Sequence, residues 1–268
     1  SVIMTNLTPL GSDKALQATE DVGLVVTAAD FGYSNTDGYS MTGVKIAGLP
    51  AQGTLKLNGV AVVEDQFITM AQLNADQLVF QGAANANGSN YANFKFKVLD
   101  NRPVNNEDLV ANTITLNVTA VNDVPVVTTA GAITTVNEDS ASATATSLWS
   151  TAPAFSQGPS DENSQTLTYK ITAIPTFITL FKADGTTAVT AGTTVTATEF
   201  AALKYKTVAD ANGTGNVTFD VIDSGSGTTP NVNTLSSQSV SMTVNAVNDA
   251  PVVTTAGVIT TVNEDSAS

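Results

Sequence analysis

The chain has 268 residues, no cysteine, no histidine, and 24 acidic against 10 basic side chains, which gives a formal net charge of −14 at pH 7. The missing cysteines exclude disulfides and thiolate metal sites, and the missing histidines remove the commonest general base and transition-metal ligand. The acidic charge disfavours nucleic acid and anionic membranes as partners, and no apolar run reaches the roughly 18 residues that span a bilayer.

Most of the local patterns along the chain are typical of β-strands. Apolar and polar residues alternate at residues 93–100, 111–121 and 216–223, and a period of two places one face of a strand in a core and the other in water. Clusters of Gly, Asn, Asp and Pro separate the strands at short intervals, which is typical of a sandwich or barrel. The best helical pattern is short, at residues 70–78. The predicted class is all-β.

The chain also repeats itself. Residues 121–142 recur at residues 247–268 with two substitutions, and weaker matches at similar shifts keep the same order along the chain. Such self-similarity predicts a tandem array of one structural unit. The predicted organisation is a degenerate linker at 1–9, domain 1 at 10–122, domain 2 at 123–248, and the start of a third repeat at 249–268.

Several motifs resemble one known family. GLPAQGTLKLNG at 48–59, ANANG at 84–88, FKFKVLD at 94–100 and AVNDVP at 120–125 are together similar to the cadherin-like tandem repeats of giant bacterial surface adhesins, which are secreted by type I systems and often carry RTX repeats. The resemblance covers nearly the whole chain and is weaker at 174–185. It implies two tandem cadherin/immunoglobulin-like antiparallel β-sandwich domains of seven strands each, often with calcium at the domain junctions.

Seven alternating strands would bring oxygen-bearing side chains together where the linker leaves domain 1. These motifs contain no Lys or Arg, and clustered carboxylates repel one another unless a positive charge lies among them. Calcium takes six to eight oxygen ligands, so we predict calcium sites; as single motifs, the same residues are ordinary turn residues. The first predicted site comprises Glu20, Asp21, Asn122, Asp123, Asp161, Glu162 and Asp223.

A second, incomplete calcium site is predicted at the far pole of domain 2, where the third repeat would complete it. At the opposite pole of domain 1, Asp30, Asp37 and Asp100 have no comparable linker before them. The residues of the second site are Glu138, Asp139, Asp210, Asn212, Asn248 and Asp249.

The predicted function is structural. The chain is expected to be a calcium-rigidified extender segment of a large extracellular, cell-surface-attached adhesin that projects a binding region for cell adhesion or biofilm formation. Expected partners are neighbouring repeats of the same chain, with cell-surface or matrix polysaccharide as a further candidate, and the expected state is monomeric. No catalytic residue is predicted, because nothing places a carboxylate pair in a cleft.

The alternative function is a calcium-dependent polysaccharide-binding module. An exposed row of aromatic side chains would favour it, but aromatic residues make up 6% of the chain, which disfavours a large row. The single tryptophan, Trp149, is expected in the core or at a seam rather than on such a row.

Overall fold

The computed structural model describes residues 8–259. Most of the predicted N-terminal linker, residues 1–7, and the last part of the predicted third repeat, residues 260–268, lie outside the described residues. In the described part, no helix is long and apolar enough to cross a membrane.

The chain divides into two compact units. The first comprises Ser1–Pro125, Ser156–Thr166 and Asp223–Thr234, and the second comprises Val126–Phe155, Leu167–Ile222 and Leu235–Ser268. Two loops that the repeat pattern assigns to domain 2 are therefore grouped with the first unit by their contacts. The predicted domain boundaries stay a prediction.

The first unit contains two sheets and three short helical segments, one of which is a 3-10 turn at Ser160–Glu162 in the loop that it takes from domain 2. One sheet has the strand order β1-β9-β8-β3-β6 and the other the order β2-β7-β4-β5. The strands are β1 (Lys14–Thr19), β2 (Leu24–Val25), β3 (Met41–Gly48), β4 (Thr54–Leu57), β5 (Val60–Ala61), β6 (Phe67–Thr69), β7 (Leu78–Gln81), β8 (Gly88–Asp100) and β9 (Asn112–Thr119); the other helical segments are a 3-10 turn (Ala28–Phe31) and α1 (Met70–Asn74).

The alternation of β8 explains how the core forms. Phe94, Phe96 and Val98 point inward and are buried, whereas Lys95 on the same strand is exposed. Buried residues of the second sheet, including Phe80, belong to the same apolar cluster. The core therefore lies between the two sheets, and the predicted all-β sandwich class is confirmed.

One pair of strands departs from the predicted antiparallel arrangement. β1 runs parallel to β9, with Lys14 opposite Ile114 and Thr19 opposite Thr119, whereas β8 is antiparallel to β9. Because β1 and β9 run in the same direction, the residues that follow them leave the sheet at the same pole. This pairing places Glu20 next to the segment that follows β9.

The second unit repeats this design. Its larger sheet has the order β11-β20-β19-β14-β17, with β11 parallel to β20, beside a sheet of order β12-β18-β15-β16 and a β10-β13 pair. Its elements are β10 (Val126–Thr129), β11 (Val136–Asn137), β12 (Thr146–Ser147), β13 (Ala154–Ser156), β14 (Leu167–Ala173), β15 (Ile178–Phe181), β16 (Ala188–Val189), β17 (Thr194–Thr196), α2 (Ala197–Ala201), β18 (Lys204–Thr207), β19 (Gly213–Asp223) and β20 (Thr234–Asn245).

Trp149 lies in the core of the second unit. Its indole Nε1 donates a hydrogen bond to the Phe200 carbonyl at 2.7 Å, and its ring packs against Phe200 and Phe219. The predicted core position of the single tryptophan is confirmed. At 7% exposure, Trp149 does not belong to an exposed row of aromatic side chains.

The helix predicted at residues 70–78 is shorter than expected. α1 ends at Asn74, and its N-terminus is a capping box in which Gln72 N donates to Thr69 Oγ1 at 3.2 Å and Thr69 N donates to Gln72 Oε1 at 2.9 Å. The same box recurs at Thr196 and Glu199 before α2, which the sequence analysis did not predict.

Replacing Phe96 by Ala tests the position of the core. Phe96 is fully buried, and truncating such a side chain costs about 3–5 kcal/mol through lost apolar contact and the cavity left behind. We expect F96A to lower the free energy of unfolding by that amount in a urea titration followed by circular dichroism. K95A, on the exposed face of the same strand, should stay close to wild type; equal losses in both variants would contradict the assigned faces.

Candidate metal centres

The first cluster of predicted ligands forms around Glu20. This residue follows β1, its N–H donates to the Thr119 carbonyl at 2.9 Å, and its Oε2 accepts a hydrogen bond from Val121 N at 2.9 Å. Only 2% of Glu20 is exposed. The parallel β1–β9 pair therefore holds a buried carboxylate beside the segment that leads to Asn122 and Asp123.

Asn122 is held by hydrogen bonds on all sides. Its Nδ2 donates to Asp223 Oδ1 at 3.0 Å and to the Val232 carbonyl at 3.0 Å, and its backbone N donates to Asn231 Oδ1 at 2.8 Å. Its Oδ1 accepts from Gln165 Nε2. In this arrangement the Asn122 side chain holds the carboxylate of Asp223 in place, and its Oδ1, the side-chain atom that could ligate a cation, already accepts a hydrogen bond.

Two buried carboxylates keep one oxygen free of any hydrogen bond. Glu162 Oε1 accepts from Asp123 N at 2.6 Å, and Asp223 Oδ1 accepts from Asn122 Nδ2 and from Gly225 N at 2.7 Å. Their other oxygens, Glu162 Oε2 and Asp223 Oδ2, are buried and have no hydrogen-bond partner among the described residues. Since a buried anionic oxygen without a partner is costly, these two atoms are suited to ligate a cation.

The first cluster also contains Asp21, Asp123 and Asp161, whose negative charges act on one another and on Glu20. Burial raises the pKa of Glu20, and the charges of Asp161 and Asp21 raise it further against the lowering effect of its hydrogen bonds. Burial also raises the pKa of Asp123, with Asp21 and Asp161 adding to the effect. Glu20 and Asp123 are thus less readily ionised, because they are partly desolvated and because other carboxylates lie nearby.

Glu162 shows the same electrostatic strain. Burial raises the pKa of its carboxyl group, and the charges of Asp123, Asp161 and Asp223 raise it further. None of the Lys or Arg ion pairs found within residues 8–259 involves a member of this cluster. A cavity of about 240 Å³ lies beside Glu162 and Asn122.

Asn87 belongs to the first cluster but was not among the predicted ligands. Its Nδ2 donates to Asp161 Oδ2 at 2.9 Å and lies 3.5 Å from both carboxylate oxygens of Glu20. Beside it, Asn85 N donates to Asp21 Oδ1 at 3.2 Å. The repeated Asn-Gly ending of the loop before β8 and β19 was the available signal for this role.

The second cluster, in the second unit, repeats the anchoring of the first. Glu138 N donates to the Asn245 carbonyl at 2.9 Å, and Val247 N donates to Glu138 Oε1 at 2.6 Å. Asn212 Nδ2 donates to Glu138 Oε2 at 3.0 Å. Asn87 has the corresponding position beside Glu20 in the first cluster. The hydrogen bonds of Val247 and Asn212 lower the pKa of Glu138.

Three exposed carboxylates of the second unit converge beside Glu138. One oxygen each of Asp139, Asp210 and Asp249 lies within 4.8 Å of the others. Desolvation raises the pKa of Asp249, and the charges of Asp210, Asp139 and Glu138 raise it further. Asn248 is exposed, and its Nδ2 donates to the Asp249 carbonyl at 3.2 Å. This arrangement brings the carboxylates of the second predicted set together.

Comparison with known proteins finds similarity only to solved structures. No protein-family model and no curated protein matches the chain. The chain is similar to mouse cadherin-23 EC22-24, with 15% identity over 90% of this chain and 68% of that chain and a TM-score of 0.41. It is also similar to human CDH23 EC21-23, with 15% identity over 88% of this chain and 67% of that chain and a TM-score of 0.41.

Human protocadherin-24 EC1-2 matches with 15% identity over 88% of this chain and 95% of that chain, with a TM-score of 0.41. The structural neighbours are thus cadherin extracellular domains. The case for a metal in this chain depends on its own side chains.

The raised pKa values predict an unusual pH response when no cation is present. Glu20, Asp123 and Glu162 bind protons more tightly in the folded chain than in the unfolded chain. Their contribution to stability is complete below the ordinary carboxylate pKa of about 4 and is lost as pH rises through the raised values. E162Q removes one of these groups.

In a chelator, lowering the pH from about 7 to about 5 should therefore stabilise wild type through protonation of these groups. E162Q lacks one of them, so its melting temperature should gain less from the same change in pH. Scanning calorimetry in EDTA at both pH values measures this difference. Identical pH responses would show that Glu162 is not destabilised by its neighbours.

Proposed function

We propose that the chain is a calcium-stiffened extender segment of a large extracellular bacterial adhesin. The observation that carries the proposal is the pair of buried, unpartnered carboxylate oxygens on Glu162 and Asp223. They lie among the carboxylates of the first cluster, where calcium would supply positive charge and accept six to eight oxygen ligands. The resemblance of the linker motifs to cadherin-like adhesin repeats supports the same function.

The residues proposed to hold calcium fall into two sets. In the first set, Asn122 positions the carboxylate of Asp223 through its Nδ2. Ligation of calcium by the side-chain oxygen of Asn122 stays a prediction. The proposed carboxylate ligands are Glu20, Asp21, Asp123, Asp161, Glu162 and Asp223 in the first set, and Glu138, Asp139, Asp210 and Asp249 in the second.

Calcium would act on the linker because Asp123 is both a linker residue and a proposed ligand. Without the ion, repulsion among the carboxylates opposes the folded arrangement; with it, the linker is fixed to the loops that carry Glu162 and Asp223. Stiff joints between repeated units suit a protein that projects a binding region from a cell surface for adhesion or biofilm formation. Its partners are then neighbouring repeats of the same chain, and the segment itself is monomeric and non-enzymatic.

The polysaccharide-binding alternative gains no specific support. Among the described residues, the exposed large aromatic side chains are Tyr39 and Phe67. Tyr39 already lies under the guanidinium of Arg102, 5.0 Å from its ring centroid. No observation therefore favours sugar binding over the mechanical role.

Calcium binding is tested with E162Q, which keeps the shape of Glu162 but removes its charge. In wild type, calcium should raise the melting temperature, because an ion that binds only the folded state stabilises it by about 2.7 kcal/mol at a hundredfold excess over its Kd. E162Q should melt higher than wild type in EDTA, where repulsion is relieved, and gain less from calcium. We expect its calcium affinity in isothermal titration to fall by at least the roughly 10–100-fold typical of lost metal-site support.

E199Q is the matched control for this measurement. Glu199 lies outside both clusters in the capping box of α2, a position where glutamine also serves. Its calcium affinity should equal that of wild type. Equal affinities of E162Q and wild type, or no calcium binding by either, would contradict the proposed first site.

The extender role is tested separately by small-angle scattering of the whole chain. A fixed linker should give a longer maximum dimension and a narrower distribution of shapes in calcium than in EDTA. D123A should resemble the EDTA state even in calcium, because it removes a carboxylate from the linker itself. Bound calcium with unchanged scattering would retain the metal site but reject its mechanical role.

A further inference from the structure

Asp100 is a buried carboxylate that has a cation of its own. It is the last residue of β8, at the end of that strand opposite to the loop of Asn87, and 1% of it is exposed. The guanidinium of Arg102 holds both of its oxygens: Nε lies 2.9 Å from Oδ1 and 2.9 Å from Oδ2, and Nη2 lies 2.8 Å from Oδ2. Asn35 Nδ2 donates to Oδ2 at 3.0 Å.

Asp100 and Asp223 occupy the same position in the two repeats. Each ends the long strand of its sheet, β8 or β19. Asp100 N donates to the Asn106 carbonyl at 3.0 Å, and Asp223 N donates to the Asn233 carbonyl at 3.0 Å. The Oδ1 atom of each accepts from the backbone N–H two residues later, which belongs to Arg102 in one repeat and Gly225 in the other.

The two aspartates differ in what meets their second oxygen. Oδ2 of Asp100 meets the Arg102 guanidinium, whereas Oδ2 of Asp223 is buried without a hydrogen-bond partner. The residue at the second position after the strand explains this difference. A Cβ atom at Gly225 would lie 1.8 Å from Asn122 Oδ1, so no side chain fits where Arg102 stands in the other repeat.

We propose that Arg102 is an internal substitute for a metal ion, so that the Asp100 end of the first unit is neutralised by the protein and takes no calcium. The residue two positions after the strand-terminal aspartate thus specifies the counter-ion: an arginine there neutralises the aspartate itself, whereas a glycine leaves space for a cation to bind. The contrast with Asp223 rests on the proposed calcium function; the role of Arg102 at Asp100 does not.

The surroundings of Arg102 fit this fixed role. Its side chain is 5% exposed, Asp37 Oδ2 lies 3.6 Å from Nη1, and its guanidinium stacks over the Tyr39 ring. The positive group therefore faces two carboxylates and an aromatic face, and such an arrangement is rigid because each contact restricts the planar guanidinium. Asp100 and Asp37 gain a counter-charge that does not depend on the medium.

The test uses R102M, which removes the charge and keeps most of the side-chain volume, in the full chain. In EDTA we expect its melting temperature to fall by on the order of 10 °C, because a buried carboxylate loses its partner, and hydrogen exchange at residues 98–108 to accelerate. K14M is the matched control, since Lys14 forms an exposed ion pair with Asp30 and such pairs contribute little. D100N/R102M, which removes both charges, should recover most of the loss.

Calcium chloride distinguishes the two counter-ions. In wild type, calcium should leave exchange at residues 98–108 unchanged; in R102M, it should slow that exchange, because Asp100 and Asp37 then lack the positive charge that neutralises them. Calcium protection of residues 98–108 in wild type, or an R102M loss no larger than that of K14M, would overturn the proposal. Failure of calcium to protect R102M would also contradict it whenever residues 121–123 and 158–163 of the same sample are protected.

The experiment also distinguishes failure of the calcium function from failure of the Arg102 proposal, and it covers a variant that does not fold. If calcium protects neither residues 121–123 nor 158–163 in wild type, the calcium function fails, while the R102M loss and its recovery in D100N/R102M still support the counter-charge. If R102M does not fold, the double variant decides: a cooperative melt supports the proposal, and its absence rejects it.

Discussion

A buried carboxylate needs a positive or hydrogen-bonding partner, and the ends of these β-sandwich units contain several. Glu20, Asp100, Glu162 and Asp223 are all nearly inaccessible to water. Transferring an ion from water into a protein interior costs several kcal/mol unless its oxygens are satisfied. Backbone N–H groups satisfy part of this demand at each residue, and what satisfies the rest determines how each end of a unit behaves.

The buried carboxylates are satisfied in three ways, which differ in whether they need an ion from solution. Arg102 neutralises Asp100 with a charge carried by the chain, and this arrangement is independent of dissolved ions. Glu138 is satisfied largely by Val247 N and Asn212 Nδ2. Glu162 and Asp223 keep an unpartnered oxygen each, and the proposed calcium would complete them. On these proposals, the chain would combine an ion-independent end with a cluster whose order depends on calcium.

The parallel strand pair gives these clusters their common form. In both units the first strand of the larger sheet runs beside the last strand in the same direction. A glutamate that follows the first strand then accepts a hydrogen bond from the backbone that leaves the last strand. This geometry ties each carboxylate cluster to the segment that leaves its unit, which is why a cation there would act on the linker.

The long alternating strands and the oxygen-rich residue types of the predicted sites could be read from the sequence. The alternation of β8 and β19 and the repeat at 121–142 and 247–268 depend on local periodicity and on self-similarity, which require no knowledge of contacts. Which of those oxygens have hydrogen-bond partners depends on long-range packing. The pairing of β1 with β9, Asn87 with Asp161, and Asn122 with Asp223 joins residues 74 to 101 positions apart, and no local pattern encodes such contacts. Arg102 shows the reason most clearly, because its proximity to Asp100 is visible in the sequence, whereas its burial over both carboxylate oxygens follows only from the packing around it.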